Sequence, residues 1–277
     1  MSNPVTILSY NSTGFPVQRQ SYLRKLLTFS DIICGQEHFQ LKGNKFRISN
    51  SIGNSFDLFF KPAVKSDKNL TQGRPKGGLF IAWRKMCVKK VTRIMCESFR
   101  LQAVILEYSD CRLLIINTYF PCDNQKLILS ESEAVERQNL LADIMSLQHK
   151  YVDSYDVSII LGDLNFDDTR YTGHAQLLHN FMEGENLRSV WDIFPVDFTF
   201  TSGNAFSVLD HFLLDSTKTQ KILDAGVLHD PENLSGHSPI YLKFDLVKAD
   251  IAPEIRHRNP RINWSRSSQE QISGYVN

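Results

Sequence analysis

Ten short apolar runs punctuate this chain, and several are apolar at every position rather than at every second one. They are Val5–Tyr10, Asp31–Gly35, Phe56–Phe60, Gly78–Trp83, Leu101–Tyr108, Leu113–Tyr119, Val157–Leu161, Phe198–Thr201, Val208–Leu214 and Ile240–Leu246. Runs of this length, rich in Val, Ile, Leu and Phe, predict β-strands, and unbroken ones predict strands covered on both faces. Only three segments carry helical spacing: Gln18–Thr28, Glu131–Lys150 and His174–Met182. Strands that outnumber the helices inserted between them predict two packed sheets with helices outside, an α/β sandwich.

The run Val157–Leu161 stops at Gly162 and delivers Asp163 and Asn165 two residues apart. Alternation along a strand puts both on one face at its C-terminal edge, where a carboxylate and a carboxamide can hold a water and a phosphoryl oxygen together. Gly, Asp and Asn are also ordinary turn residues, so this motif alone leaves a plain turn open. Five further polar residues stand at the ends of predicted strands: Asn11, Glu37, Tyr119, Asp210 and His237. Each has a plain structural role available to it. Asn11 and Asp210 suit turns, Glu37 suits a solvated surface, Tyr119 suits a sheet face, and His237 is one of 8 histidines. Together they offer a hard-metal carboxylate, an Asp–Asn pair, a phenol, and an imidazole with a carboxylate partner.

A length of 277 residues with 42% hydrophobic side chains allows one large domain or two small ones. Lys plus Arg number 31 against 30 for Asp plus Glu, so any polyanionic partner must be met by a local patch. The 5 cysteines lack zinc spacing and read as reduced thiols. The apolar run Val5–Leu8 is too short for a signal h-region or a membrane span. A nuclear or cytoplasmic protein away from membranes is therefore expected, and nothing in the sequence signals an obligate oligomer. After Leu246 the strand pattern ends, while Arg256, Arg258, Arg261 and Arg266 collect around Pro253 and Pro260. This predicts a domain over 1–247 and a tail or linker over 248–277.

Taken in order, Asn11-Ser12-Thr13-Gly14, Gln36-Glu37, Asn117-Thr118-Tyr119-Phe120-Pro121, Gly162-Asp163-Leu164-Asn165, Ser207-Val208-Leu209-Asp210-His211 and Ser235-Gly236-His237-Ser238-Pro239 resemble the endonuclease/exonuclease/phosphatase superfamily. The closer likeness is to the apurinic-type endonuclease domain of non-LTR (LINE) retrotransposons. Gly73–Leu79 is similar to the glycine-rich segment of those domains, and Phe198–Ser202 to their target-contacting hairpin. Pro260-Arg261-Ile262-Asn263-Trp264 with Tyr275 is similar to the linker toward a downstream reverse transcriptase.

The resemblance implies a DNase I-like fold within a larger polyprotein, and Mg²⁺-dependent nicking of double-stranded DNA, with Mn²⁺ as an alternative ion. The nick would leave a 3′-hydroxyl to prime reverse transcription. It also implies roles: Glu37 holds the metal, Asp163 orients or deprotonates water, Asn11 and Asn165 position phosphate and water, His237 donates to the phosphoryl oxygen with Asp210 behind it, and Tyr119 donates from the opposite side. Arg74, Lys76, Thr199 and Asn204 are the expected DNA contacts. Arg84, Lys85, Lys89, Lys90 and Arg93 either line the same cleft or form a solvated face.

One residue departs from the pattern. The family has Asp immediately before the last His, and Gly236 stands there, so weaker metal binding is expected. Three other functions share parts of this motif set: an abasic-site repair endonuclease, a phosphatase or sphingomyelinase, and a non-catalytic DNA-binding module.

Overall fold

A computed structural model describes residues 4–65, 73–122 and 128–246. The tail over 248–277 and its linker motif lie outside the described residues. In chain order the elements are β1 (Val5–Asn11), α1 (Val17–Phe29), β2 (Ile32–Gln36), α2 (Lys45–Ile52), β3 (Phe56–Lys61), β4 (Leu79–Arg84), β5 (Lys90–Ile94), β6 (Leu101–Glu107), β7 (Arg112–Tyr119), α3 (Glu131–Lys150), β8 (Val157–Asp163), α4 (Gly173–Gly184), β9 (Leu187–Ser189), β10 (Phe200–Ser202), β11 (Ala205–Ser207), β12 (Asp210–Asp215), β13 (Ile222–Val227) and β14 (Ile240–Phe244).

Two six-stranded sheets form, in the orders β13-β14-β1-β2-β4-β3 and β5-β6-β7-β8-β12-β9, with β10-β11 as a separate hairpin. Alternating side chains explain why the central runs are apolar throughout. Ile7, Val104, Leu106, Ile115, Ile159 and Phe212 point between the sheets. Their neighbours Ala103, Ile105, Leu114, Ile116, Ile160 and Leu213 point outward beneath α3 and α4. Leu8, Tyr10 and Ile33 pack outward under α1 and α2. A strand buried on both faces has no position for a polar residue until it leaves the sheet. The α/β sandwich expected from the sequence is the observed fold.

Each sheet has one parallel pair at its centre, β1 with β2 and β7 with β8. In parallel register Asn11 pairs with Gln36 and Tyr119 with Asp163, while antiparallel β12 brings Asp210 opposite Asp163. Strand direction therefore gathers the polar strand ends along one rim. The rims are joined by a buried polar bridge: Gln36 Nε2 donates to Asn117 Oδ1 at 2.7 Å, and Asn117 Nδ2 donates to the carbonyls of Gly35 and Phe80. Gly162 closes β8 at φ +134°, where a Cβ would meet the Thr118 carbonyl oxygen at 1.9 Å. Only glycine lets β7 and β8 stay paired to their last residues.

All ten predicted strands lie on observed strands, and all three predicted helices on observed helices. The elements not foreseen are β5, β9, β11, β13 and α2. Their signal is weak for a physical reason. β5 and β13 are edge strands carrying exposed charge such as Lys90, Arg93 and Asp224, β9 and β11 span three residues each, and α2 spans eight polar-rich ones.

Candidate active site

Asp163 is the floor of the site. Its Oδ2 accepts from Asn11 Nδ2 at 2.8 Å and from Asn165 Nδ2 at 3.1 Å, and its Oδ1 accepts from the Asn165 amide at 3.0 Å. The route differs from simple alternation. β8 ends at Asp163, and Asn165 turns back at φ +49° to face the carboxylate. The polar side chain that favours turns is thus used for both a turn and a site. Asn165 Nδ2 also donates to the Phe120 carbonyl at 2.9 Å, which fastens β8 to the end of β7.

His237 stands between two carboxylates. Its Nδ1 lies 2.8 Å from Asp210 Oδ2, and its Nε2 lies 3.8 Å from Asp163 Oδ2. Side chains that tie the loop to the first sheet hold it there. Tyr10 OH donates to Asn233 Oδ1 at 2.8 Å, Asn233 Nδ2 donates to the His237 carbonyl at 2.7 Å, and Ser235 Oγ donates to the Asn11 carbonyl at 2.8 Å. The small polar residues before His237 are therefore struts. Gly236 faces the hairpin, where a Cβ would lie 3.0 Å from both the Phe200 ring and the Thr201 carbonyl oxygen. An Asp at this position requires the Phe200 ring and the Thr201 carbonyl to give by a few tenths of an ångström.

Glu37 leaves β2 at φ +51°, half-buried at the rim. The turn is fixed from both sides. The Glu37 carbonyl accepts from the Gly14 amide at 2.7 Å, and the Phe39 amide donates to the Gly77 carbonyl at 3.0 Å. The buried His38 next to it stacks on Phe60 and accepts the Gln40 amide at Nδ1, 2.9 Å away. The glycine-rich segment serves this corner. A Cβ on Gly78 would strike His38, and one on Gly77 would come 2.8 Å from the Tyr119 hydroxyl. Tyr119 is buried beneath the Arg100 guanidinium, 4.5 Å above its ring. Burial drives its phenol well above the ordinary value, with Arg100 opposing and Glu37 reinforcing, so it stays a proton donor.

The electrostatics favour a cation. Burial, then Asp210 and Glu37, push the Asp163 carboxyl up to about 7, against His237 and the Asn11 hydrogen bond. Burial alone would lower His237, but Asp210, Asp163 and Glu37 raise it to about 9. Two carboxylates thus flank one imidazole, and Glu37 adds to their field from farther away. Donor atoms of Asp163, Asp210 and His237 lie within 4.8 Å of one another, with Glu37 outside that group. Hard oxygen donors with surplus negative charge in a poorly solvated site fit a divalent cation such as Mg²⁺.

The same charges set a pH dependence. A raised His237 contributes stability that is complete below about pH 6.5 and lost as pH rises through about 9. The buried, neutral His38, lowered to about 4 by desolvation, acts oppositely: its contribution is complete above about pH 6.5 and lost as pH falls through about 4. Thermal melts of the protein in EDTA are expected to show Tm falling between pH 6.5 and 9. His237→Gln should flatten that alkaline limb; an unchanged slope in the variant would assign the fall to other groups.

The expected DNA contacts divide. Arg74 and Lys76 are exposed near the Glu37 corner, with Arg74 stacked 4.3 Å over Phe39. Asn204 is exposed at the hairpin tip beside Gly203. Thr199 is fully buried, and its Oγ1 accepts the amides of Leu209 and Asp210 at 2.8 and 3.0 Å. It braces Asp210 rather than facing DNA, because the hairpin's base lies under its tip.

Arg84, Lys85, Lys89 and Lys90 sit at the far ends of β4 and β5, since β4 starts beside Gly78 at the rim and runs away from it. They cannot line the cleft. Arg84 instead pairs with Asp31 and donates to the Leu27 and Ser30 carbonyls, and Arg93 stacks over Trp83. Arg100, Arg19 and Arg170 also stand at the rim. Arg19 donates to the Thr13 and Leu234 carbonyls, and Arg170 donates to Ser207 Oγ on the hairpin. Isolated arginines give no sequence signal, so only the tertiary contacts reveal them.

Residues 113–241 match the model of a family described as endonuclease-reverse transcriptase. No curated protein matches the chain. Among solved structures, the AP endonuclease LMAP of Leishmania major aligns with a TM-score of 0.70 at 15% identity, over 87% of this chain and 88% of that one. The catalytic domain of Xenopus laevis APE2 gives 0.68 at 15% identity, over 89% and 94%. The endonuclease domain of TRAS1, a telomere-specific non-LTR retrotransposon, gives 0.62 at 14% identity, over 89% and 100%. These neighbours share the fold, and together with the family match they bear out the resemblance to this nuclease superfamily. Among the described residues no helix is long and apolar enough to cross a membrane.

Proposed function

We propose that this chain is a metal-dependent endonuclease of the endonuclease/exonuclease/phosphatase type that nicks double-stranded DNA, a reading supported by the family match over residues 113–241 and by the shared fold. On this reading the 3′-hydroxyl it leaves primes reverse transcription by a downstream domain of the same polyprotein. The observation that carries it is the placing of His237 between Asp210 and Asp163, with Asn11 and Asn165 donating to the Asp163 carboxylate.

Glu37 would hold Mg²⁺ or Mn²⁺, which when bound would supply neutralisation of the charge that builds on the phosphate oxygens. Asp163 orients the attacking water and accepts its proton, and its two amide neighbours keep the carboxylate aimed. His237 carries its proton on Nε2 toward the phosphoryl oxygen, because Asp210 holds Nδ1 and favours the charged ring. Tyr119 donates from the other side of the phosphate, and the departing 3′-oxygen takes its proton from solvent water. Arg74, Lys76 and Asn204 meet the duplex, and the exposed aromatics Tyr171 and Phe206 on the same rim add stacking surface. With few basic side chains at the hairpin, selectivity is expected to come more from DNA shape than from base edges.

The deciding measurement is mapping of nicks on supercoiled plasmid with Mg²⁺, wild type beside Asp163→Ala, with an abasic duplex run in parallel. Nicks on intact DNA that vanish in the variant support the reading. Cleavage confined to the abasic duplex would make this a repair enzyme, and release of phosphate without nicks would make it a phosphatase.

A further inference from the structure

The β10–β11 hairpin pairs with neither large sheet, and a lone two-stranded hairpin has little stability of its own. Its base is bonded to both members of the Asp210–His237 pair. Thr199 Oγ1 accepts the Leu209 and Asp210 amides at 2.8 and 3.0 Å, while the Thr199 carbonyl accepts the Ser238 amide at 2.7 Å. The Thr201 amide donates to the Gly236 carbonyl at 2.8 Å, Phe200 bridges to His237, and their rings lie 4.6 Å apart. Gly236 permits this approach, since a Cβ there would already press on Phe200 and Thr201 at 3.0 Å. At the other end, residues 202–206 are exposed.

We propose that the hairpin sets the geometry of the Asp210–His237 pair, with Thr199 as the positioning residue, so that a duplex engaging the hairpin tip is registered at the imidazole. The duplex arm rests on the nuclease reading above. Asp210 and His237 are 27 residues apart, and the stretch 199–201 is bonded to the segments that carry them both. A small change in hairpin angle therefore changes the Nδ1–Oδ2 contact, whose strength falls steeply with distance and angle. An element stabilised mainly by its base contacts is one that a ligand at its tip can bias.

Thr199→Val keeps the shape but leaves the Leu209 and Asp210 amides without this acceptor, and Thr199→Ser keeps it. The readouts are the His237 imidazole ¹⁵N resonances at one pH in EDTA, and separate kcat and KM for nicking. In the Val variant the His237 Nδ1 resonance is expected to move, and kcat per folded molecule to fall about tenfold with KM within about twofold. The Ser variant should behave as wild type. A short duplex added to wild type in EDTA should also move the resonance, and the double change Asn204→Ala, Phe206→Ala should shrink that movement at saturating duplex.

A Val variant with unchanged resonance and unchanged kcat overturns the proposal. So does a duplex that saturates the wild type without moving the resonance. If the protein neither binds duplex nor nicks it, the nuclease reading fails by itself, and the resonance of the Val variant still decides whether Thr199 positions the pair.

Discussion

Replacing His237 with alanine is expected to reduce plasmid nicking by roughly 10²- to 10⁴-fold, the range typical of a lost, positioned proton donor to the phosphoryl oxygen. The imidazole is buried between two carboxylates, 2.8 Å from Asp210 and 3.8 Å from Asp163, and a water that entered the space left by alanine would not supply its positive charge. The alanine variant also strands two buried carboxylates without their cation, and some loss of stability accompanies the loss of activity. His237→Gln separates the two effects, because it fills the space while removing the titratable proton. Both variants should bind duplex DNA with wild-type affinity when circular dichroism shows them folded. If wild type binds but does not nick, the chain is a DNA-binding module. If either variant nicks at the wild-type rate, the acid lies elsewhere.

Glu37→Gln is expected to raise the Mg²⁺ concentration for half-maximal nicking by about tenfold or more, and to lower the maximal rate as well. Gln is isosteric and keeps the turn at φ +51°, whose backbone bonds to Gly14 and Gly77 do not involve the side chain. The substitution therefore removes charge with little change of shape. Calorimetric titration of Mg²⁺ reads binding directly, independent of turnover. Unchanged Mg²⁺ affinity would move the ion away from Glu37, toward the donor group of Asp163, Asp210 and His237. This substitution is cleaner than Gly236→Asp, because an added side chain at 236 also requires the hairpin at Phe200 and Thr201 to give by a few tenths of an ångström.

Much of the site is legible in the sequence because strand ends are where polar residues interrupt apolar runs. Asn11, Tyr119, Asp163 and Asp210 each close or open a run of buried side chains, and parallel or antiparallel register then decides which of them meet. Glu37 and Asn165 follow apolar runs in the same way, although each reaches the site through a left-handed turn rather than along a strand.

The basic residues show where that logic ends. Lys85, Lys89 and Lys90 lie near Arg74 and Lys76 in sequence, yet a strand of six residues carries the chain about 20 Å from the rim. Charge near a motif in sequence says little once an extended strand intervenes. Thr199 shows the complementary limit: a short polar residue reads the same whether its hydroxyl faces DNA or two buried amides.

The two-sheet sandwich, its three longest helices and the residues of the rim can be read from the order of the amino acids, because burial on both faces dictates composition position by position. It takes the folded chain to show that Asp163, Asp210 and His237 form one buried charge cluster, that Gln36 and Asn117 join the two sheets beneath it, and that the hairpin rests on Gly236. Those contacts span residues far apart in the chain, and their geometry depends on strand direction and on space left by glycine, neither of which a single sequence records.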